Sequence, residues 1–207
     1  MHLLLTDRLI CPRCGPPHGL ILLADEVADR RVYEGTLGCS NCREEYEVQS
    51  GFADLRRPPR EPFPDPVASS STNEEEALQL AALFGVERGP GFLLLLGETA
   101  VHAPSIAAAI EDIEVIAADP MMRALPEAPG VSRIAVHDEL PFFQGGIRGV
   151  AMIGDEAERK MNEGVRVLAA GSHLVVLHPS AATSNLLSGW ELKVVVEDPR
   201  AVVGVRI

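Results

Sequence analysis

Cys11-Pro12-Arg13-Cys14-Gly15 and Cys39-Ser40-Asn41-Cys42 form two C-x-x-C knuckles with 24 residues between them, and together they use every cysteine of the chain. A two-residue spacing lets one tight turn aim two sulfurs at one ion, so two knuckles supply the four thiolates of a tetrahedral zinc site. Cys11, Cys14, Cys39 and Cys42 are therefore the metal ligands expected here. A shell of four thiolates leaves no open coordination position, which predicts a zinc that folds its module and does no chemistry. Paired disulfides or redox C-x-x-C sites are the alternative; a reducing interior disfavours the first, and two knuckles in one small module disfavour the second. His18 lies between the knuckles and reads as a loop residue.

A second group of residues sits at the ends of apolar runs. Leu93-Leu94-Leu95-Leu96 stops at Gly97, Glu114-Val115-Ile116-Ala117-Ala118 stops at Asp119, and Ile134-Ala135-Val136-His137 leads into Asp138. A strand ending in glycine before a helix, with an acid at the end of the next strand, is where doubly wound proteins bind ligands. Strand-end aspartates also cap helices, and a lone glycine is a weak signal by itself. No G-x-x-x-x-G-K-(S/T), G-x-G-x-x-G or G-x-S-x-G stands in the chain, which removes the phosphate loop, the dinucleotide fingerprint and the nucleophile elbow. His102, His137, His173 and His178 are scattered near strand ends and read as satisfied or exposed imidazoles.

These residues need elements to hold them. With 46% hydrophobic and 23% charged residues in 207, the chain is neither a disordered tail nor a fibrous repeat. Residues 56–72 carry five prolines and then Ser69-Ser70-Ser71-Thr72, a composition of linkers. The expected division is a zinc ribbon over 1–57, a Pro/Ser-rich linker over 58–72 and an α/β domain over 73–207. Ser71 and Thr72 ahead of Glu74 and Glu75 predict a capped helix that continues through Ala77, Leu80, Ala81 and Phe84. Short apolar runs at Phe92–Leu96, Ile113–Ala117, Val131–Val136, Ile147–Ile153 and His173–Leu177 predict buried parallel strands. Asp155–Leu168 places Ala157, Met161 and Val165 on one helix face. Trp190–Glu197 and Ala201–Ile207, around Asp198-Pro199-Arg200, predict a terminal hairpin.

Net charge is −12, and it is uneven: 8 basic and 9 acidic residues precede position 61, whereas 10 and 21 follow it. Such a surface repels phosphate backbones, which disfavours a zinc-ribbon nucleic-acid binder. No apolar run approaches the ~20 residues of a membrane span and no signal-peptide pattern opens the chain, so a cytoplasmic protein is expected.

Two resemblances follow from these motifs. Leu9-Ile10-Cys11-Pro12-x-Cys14, Cys39-x-x-Cys42 and Tyr46-x-Val48-x-x-Gly51-Phe52-x-x-Leu55 resemble the small zinc-ribbon activator family, whose members bind and stabilise tRNA, rRNA and protein methyltransferases. Residues 74–207 resemble the class I S-adenosylmethionine-dependent methyltransferases through Asp138-Glu139-Leu140-Pro141-Phe142, through Arg166-Val167-Leu168-x-x-Gly171 and through the closing hairpin. That resemblance implies a Rossmann-like sheet, in strand order 3-2-1-4-5-7-6 counted within the domain, and Gly97, Asp119 and Asp138 as cofactor-binding residues. The chain departs from the family at the cofactor loop. Leu95 replaces an acid, Thr99 and Val101 replace the second and third glycines, and Arg148 stands where an Asp precedes strand four. A β-branched side chain resists positive φ and fills space that glycine leaves to a ligand. The expectation is a methyltransferase-fold protein with a degraded S-adenosylmethionine site, acting as a binding or scaffold module, with a protein partner engaged through the ribbon. The alternative is an active methyltransferase on RNA, protein or a small molecule.

Overall fold

The computed structural model describes residues 1–64, 73–180, 183, 187, 189, 190 and 192–207. The ribbon contributes β1 (Leu20–Ala28), β2 (Arg31–Cys39), β3 (Glu45–Gln49) and β4 (Phe52–Asp54). Then follow α1 (Glu74–Leu83), β5 (Arg88–Leu96), α2 (Ala103–Ala109), β6 (Glu111–Ala118), β7 (Val131–Ala135) and β8 (Ile147–Ile153). The chain closes with α3 (Gly154–Val167), β9 (Leu168–Leu177), β10 (Leu192–Asp198) and β11 (Ala201–Arg206). Among the described residues all eleven strands lie in one sheet, ordered β1-β2-β3-β4-β7-β6-β5-β8-β9-β11-β10. Its last seven strands have the expected order 3-2-1-4-5-7-6.

Alternation along β5 shows how the sheet is covered. Leu94 and Leu96 face α3 and the ribbon, while Leu93 and Leu95 face α1 and α2. Both faces are buried, so the run needs no polar positions. α3 presents Ala157, Met161 and Val165 to the sheet and keeps Asp155 and Glu158 in water. Gly164 is required for that approach, because a Cβ there would stand 2.8 Å from Met152 Cε. α1 is capped by Asn73, whose side chain accepts from the Glu75 amide at 3.2 Å. The cap expected from Ser71 and Thr72, like linker positions 65–72, lies outside the described residues.

The ribbon is joined to the α/β part by main chain. β4 pairs parallel with β7, setting Phe52 opposite Arg133, Ala53 opposite Ile134 and Asp54 opposite Ala135. The pairing continues in a 2.9 Å bond from the Leu55 amide to Ala135 O. Arg31 grips the Glu114 carboxylate with two bonds of 3.1 and 2.9 Å, and Ser132 Oγ donates to the same carboxylate at 2.7 Å. On the other side of the knuckles, the Ile10 amide donates to Pro141 O at 2.9 Å and the Phe143 amide to Arg8 O at 3.0 Å. Leu5, Leu9, Leu37 and Tyr46 of the ribbon consequently share one core with Leu140, Phe142 and the buried side of α3.

The first residues of the linker are fastened too. Arg56 donates to Glu61 O at 2.9 Å and stacks over Phe63, with its guanidinium 3.8 Å from the ring centre. Arg123 lies on the same ring at 4.7 Å, and Phe52 meets it edge-on at 5.6 Å. Phe63 thereby covers the α1/α2 face of the sheet beside β4.

Candidate metal centre and the carboxyl edge of the sheet

The knuckles come from different elements. Cys11 and Cys14 lie on a turn closed by the Gly15 amide on Cys11 O at 2.8 Å; Cys39 ends β2 and Cys42 lies on the turn that the Arg43 amide closes on Cys39 O at 2.9 Å. All four sulfurs lie within 4.8 Å of one another. Cys11 and Cys42 are 3.7 Å apart and Cys14 and Cys39 are 3.9 Å apart. A tetrahedron with Zn–S bonds of ~2.3 Å has edges of about 3.8 Å, which these two separations match. Around the Cys39 thiol, burial opposes ionisation, but the amides of Cys42 and Asn41 and the neighbouring sulfurs prevail and bring it down to about 7. Asn41 Nδ2 stands 3.3 Å from Cys14 Sγ and Tyr46 Oη 3.7 Å from Cys11 Sγ, which orients two of the ligands from outside. The four cysteines can hold a zinc ion, and His18 stays outside their group.

At the carboxyl edge, Gly97 has φ +57°, the left-handed conformation that favours glycine. A Cβ at Gly97 would lie 2.3 Å from Glu156 Oε2. Glu156, in the first turn of α3, is buried and receives a 2.9 Å ion pair from Lys160, itself buried one turn further on. Thr99 is buried as well, and its hydroxyl lies 2.8 Å from Leu96 O and 3.3 Å from Ala151 O. It bridges the ends of β5 and β8, the adjacent strands between which the sheet order reverses. Val101 turns to the α1/α2 core, and Leu95 is wholly buried there.

Asp119 ends β6 as the cap of the 3-10 turn Pro120–Ala124 and accepts from the Met121 amide at 2.7 Å. Burial raises its pKa, aided by the Glu156 and Glu98 charges and opposed by the Met121 amide and Lys160. Gly97 and Asp119 thus belong to one neighbourhood centred on Glu156. Asp138 stands elsewhere, exposed on the loop that follows β7. Arg148 is on the opposite, amino edge, donating to Arg88 O at 3.0 Å and Pro90 O at 2.8 Å. Its charge therefore does not reach the crevice.

Glu156 and Lys160 belong to none of the sequence motifs, although their i,i+4 spacing is a readable sign of a helical ion pair. Glu76, in the acidic first turn of α1, faces His102 Nε2 at 3.8 Å and His178 Nε2 at 3.4 Å with its two carboxylate oxygens. Burial lowers the pKa of His102, which Glu76 opposes, and His102 Nδ1 is buried without a hydrogen-bond partner.

Known structures share this architecture. A chain from a complex of the Haloferax volcanii Trm112 methyltransferase activator with a methyltransferase superposes with a TM-score of 0.52 at 16% identity, covering 62% of this chain and 88% of that one. The tRNA (m1A58) methyltransferase TrmI of Aquifex aeolicus gives 0.52 at 13% identity, over 67% and 71% of the two chains. The precorrin-6y C5,15-methyltransferase of Geobacter metallireducens gives 0.53 at 11%, over 68% and 94%. The fold is a class I methyltransferase fold. No family model matches the sequence, and no curated protein does. At these identities the likeness concerns the fold alone. To this methyltransferase fold the chain adds a four-cysteine, zinc-ribbon-like region at its amino end. No described helix is long and apolar enough to cross a membrane.

Proposed function

We propose that this protein is a methyltransferase-fold binding module in which the S-adenosylmethionine site has been closed and the zinc ribbon serves as a built-in structural subunit. The observation that carries this reading is the filling of the crevice between β5 and β8. Thr99 ties the two strand ends together by its hydroxyl, and the Glu156–Lys160 pair occupies the space over Gly97. A cofactor entering there would have to displace a buried ion pair, and stranding either partner costs several kcal/mol. Asp119, held as a helix cap, keeps its position without a ligand. The ribbon adds strands and core to the α/β part, which supports a stabilising role in cis and leaves its outer surface for a protein partner.

Titration calorimetry and thermal shift with S-adenosylmethionine and its demethylated product test the reading. The expected result is no heat and no more than a slight shift at 1 mM ligand, since a Kd of that size stabilises by only ~0.4 kcal/mol at equal concentration. Micromolar binding would overturn it in favour of an active methyltransferase. The variant T99G/E156A/K160A, with its fold checked by circular dichroism, should gain measurable affinity if the crevice is closed by these side chains.

A further inference from the structure

The union of ribbon and sheet creates a second crevice at the carboxyl edge, distinct from the one between β5 and β8. β4 and β7 are adjacent and parallel, so their chains leave the sheet side by side. They then part to opposite faces. After β4 the chain runs to Phe63, packed on the α1/α2 face, whereas after β7 it runs to Leu140 and Phe142, buried on the face of α3 and the ribbon. Adjacent parallel strands whose exits diverge in this way leave a ligand-sized opening outside their carboxyl ends. A cleft of about 390 Å³ lies there, within the size range of small-molecule sites.

Its walls have a definite chemistry. Pro12 of the first knuckle, Leu55, Pro58 and Pro59 supply rigid hydrocarbon, and His137 and Asp138 supply polar groups from the β7 exit. Arg57 and Glu139 complete the lining and face each other at 3.7 Å, so each answers the other's charge. Neither Asp138 nor His137 makes a hydrogen bond or ion pair with any described residue. The Asp138 carboxylate is thus the uncompensated charge of the cleft, on a protein whose overall −12 draws cations toward it. Gly97, Thr99, Asp119 and Glu156 take no part in the lining.

We propose that this seam cleft binds an organic ammonium group, its cation on Asp138 and its hydrocarbon against the prolines and Leu55. The site is independent of whether the other crevice takes a cofactor. Because Pro12 lies between two zinc-knuckle cysteines, the ribbon forms one wall of it.

The test is an amide NMR titration of the full zinc-loaded chain with benzylammonium, and with benzyl alcohol and benzoate as neutral and anionic counterparts. Benzylammonium should produce saturable shifts at Leu55, Arg57, His137, Asp138 and Glu139, with the alcohol at least tenfold weaker and benzoate silent. Asp138→Asn should weaken benzylammonium about tenfold while leaving the remainder of the spectrum in place, whereas Glu98→Gln at the other crevice should change nothing. Equal binding of the alcohol, shifts spread evenly over acidic surfaces, or an indifferent Asp138→Asn variant would each overturn the proposal. So would S-adenosylmethionine shifting the same residues, which would make the cleft part of a cofactor site.

Discussion

Thr99 ties two strand ends together through one buried hydroxyl. In a glycine-rich loop the backbone is free to approach a ligand; here a hydroxyl spans two strand ends and takes up that freedom. Thr99→Val keeps the shape and removes the bridge, leaving buried carbonyls short of a donor, and should cost about 1–2 kcal/mol in urea unfolding. Gly97→Ala should cost more, since the new Cβ meets both an unfavourable φ and the Glu156 carboxylate. That a glycine pattern was missing could be read from the residues; that Glu156 fills the space could not, because it depends on where α3 docks. Glu163 gives a pH-dependent counterpart. Burial would raise its pKa, but hydrogen bonds from Arg166 and the Leu140 amide hold it below the ordinary carboxylate value. A carboxylate depressed in the folded state stabilises above its unfolded pKa and loses that contribution as pH falls through its folded one. Glu163→Gln should therefore lower the melting temperature at pH 7 and converge with the unaltered protein at strongly acidic pH, where the loop over 139–143 no longer gains from the charge.

Among the elements, β4 has an importance out of proportion to its three residues, being hydrogen-bonded to β3 on one side and β7 on the other. Ala53→Pro removes a donor from an interior strand and should cost ~3 kcal/mol or more, read as a lower urea midpoint by Trp190 fluorescence. Phe63→Ala should cost about 3 kcal/mol, because it uncovers Phe52 and leaves Arg56 and Arg123 without the ring they share. Both features mark where the sequence stopped being legible. The parallel strands of the α/β part and the terminal hairpin were readable as apolar runs, and β3 alternates buried Tyr46 and Val48 with exposed Glu45, Glu47 and Gln49. Phe52-Ala53-Asp54 is too short to carry a period, and its partner is about 80 residues away. Nothing local encodes a pairing of that range; it is settled by which buried faces remain when the other strands have taken their places. Composition leaves equally unreadable that Phe63, in the Pro-rich stretch, is held between Arg56 and Arg123 and against Phe52.

At the scale of the molecule, the described knuckles and α/β core share one sheet and one hydrophobic cluster. Ribbon residues Leu9, Cys11, Leu37 and Tyr46 pack in the same cluster as Met152 and Met161, and the hydrogen-bond ladder runs unbroken from β1 to β10. The ribbon by itself is small, and without metal its four cysteines would lose the bonds that tie the two knuckles together. Metal binding to such a site is folding free energy. In a chain with a flexible tether, chelation would melt the ribbon and spare the remainder, giving two transitions. Here the loss of the knuckles removes the anchors of Ile10 on Pro141 and of Arg8 on Phe143, and uncovers one face of β7. We therefore expect zinc removal by a strong chelator to lower the thermal midpoint in a single transition. Circular dichroism and the fluorescence of Trp190, the only tryptophan, which precedes β10 at the far edge of the sheet, should report the same midpoint. Stoichiometric zinc should restore that midpoint. Trp190 melting at an unchanged temperature after chelation would show that the sheet is continuous in geometry but not in stability, and that the ribbon opens as a unit of its own.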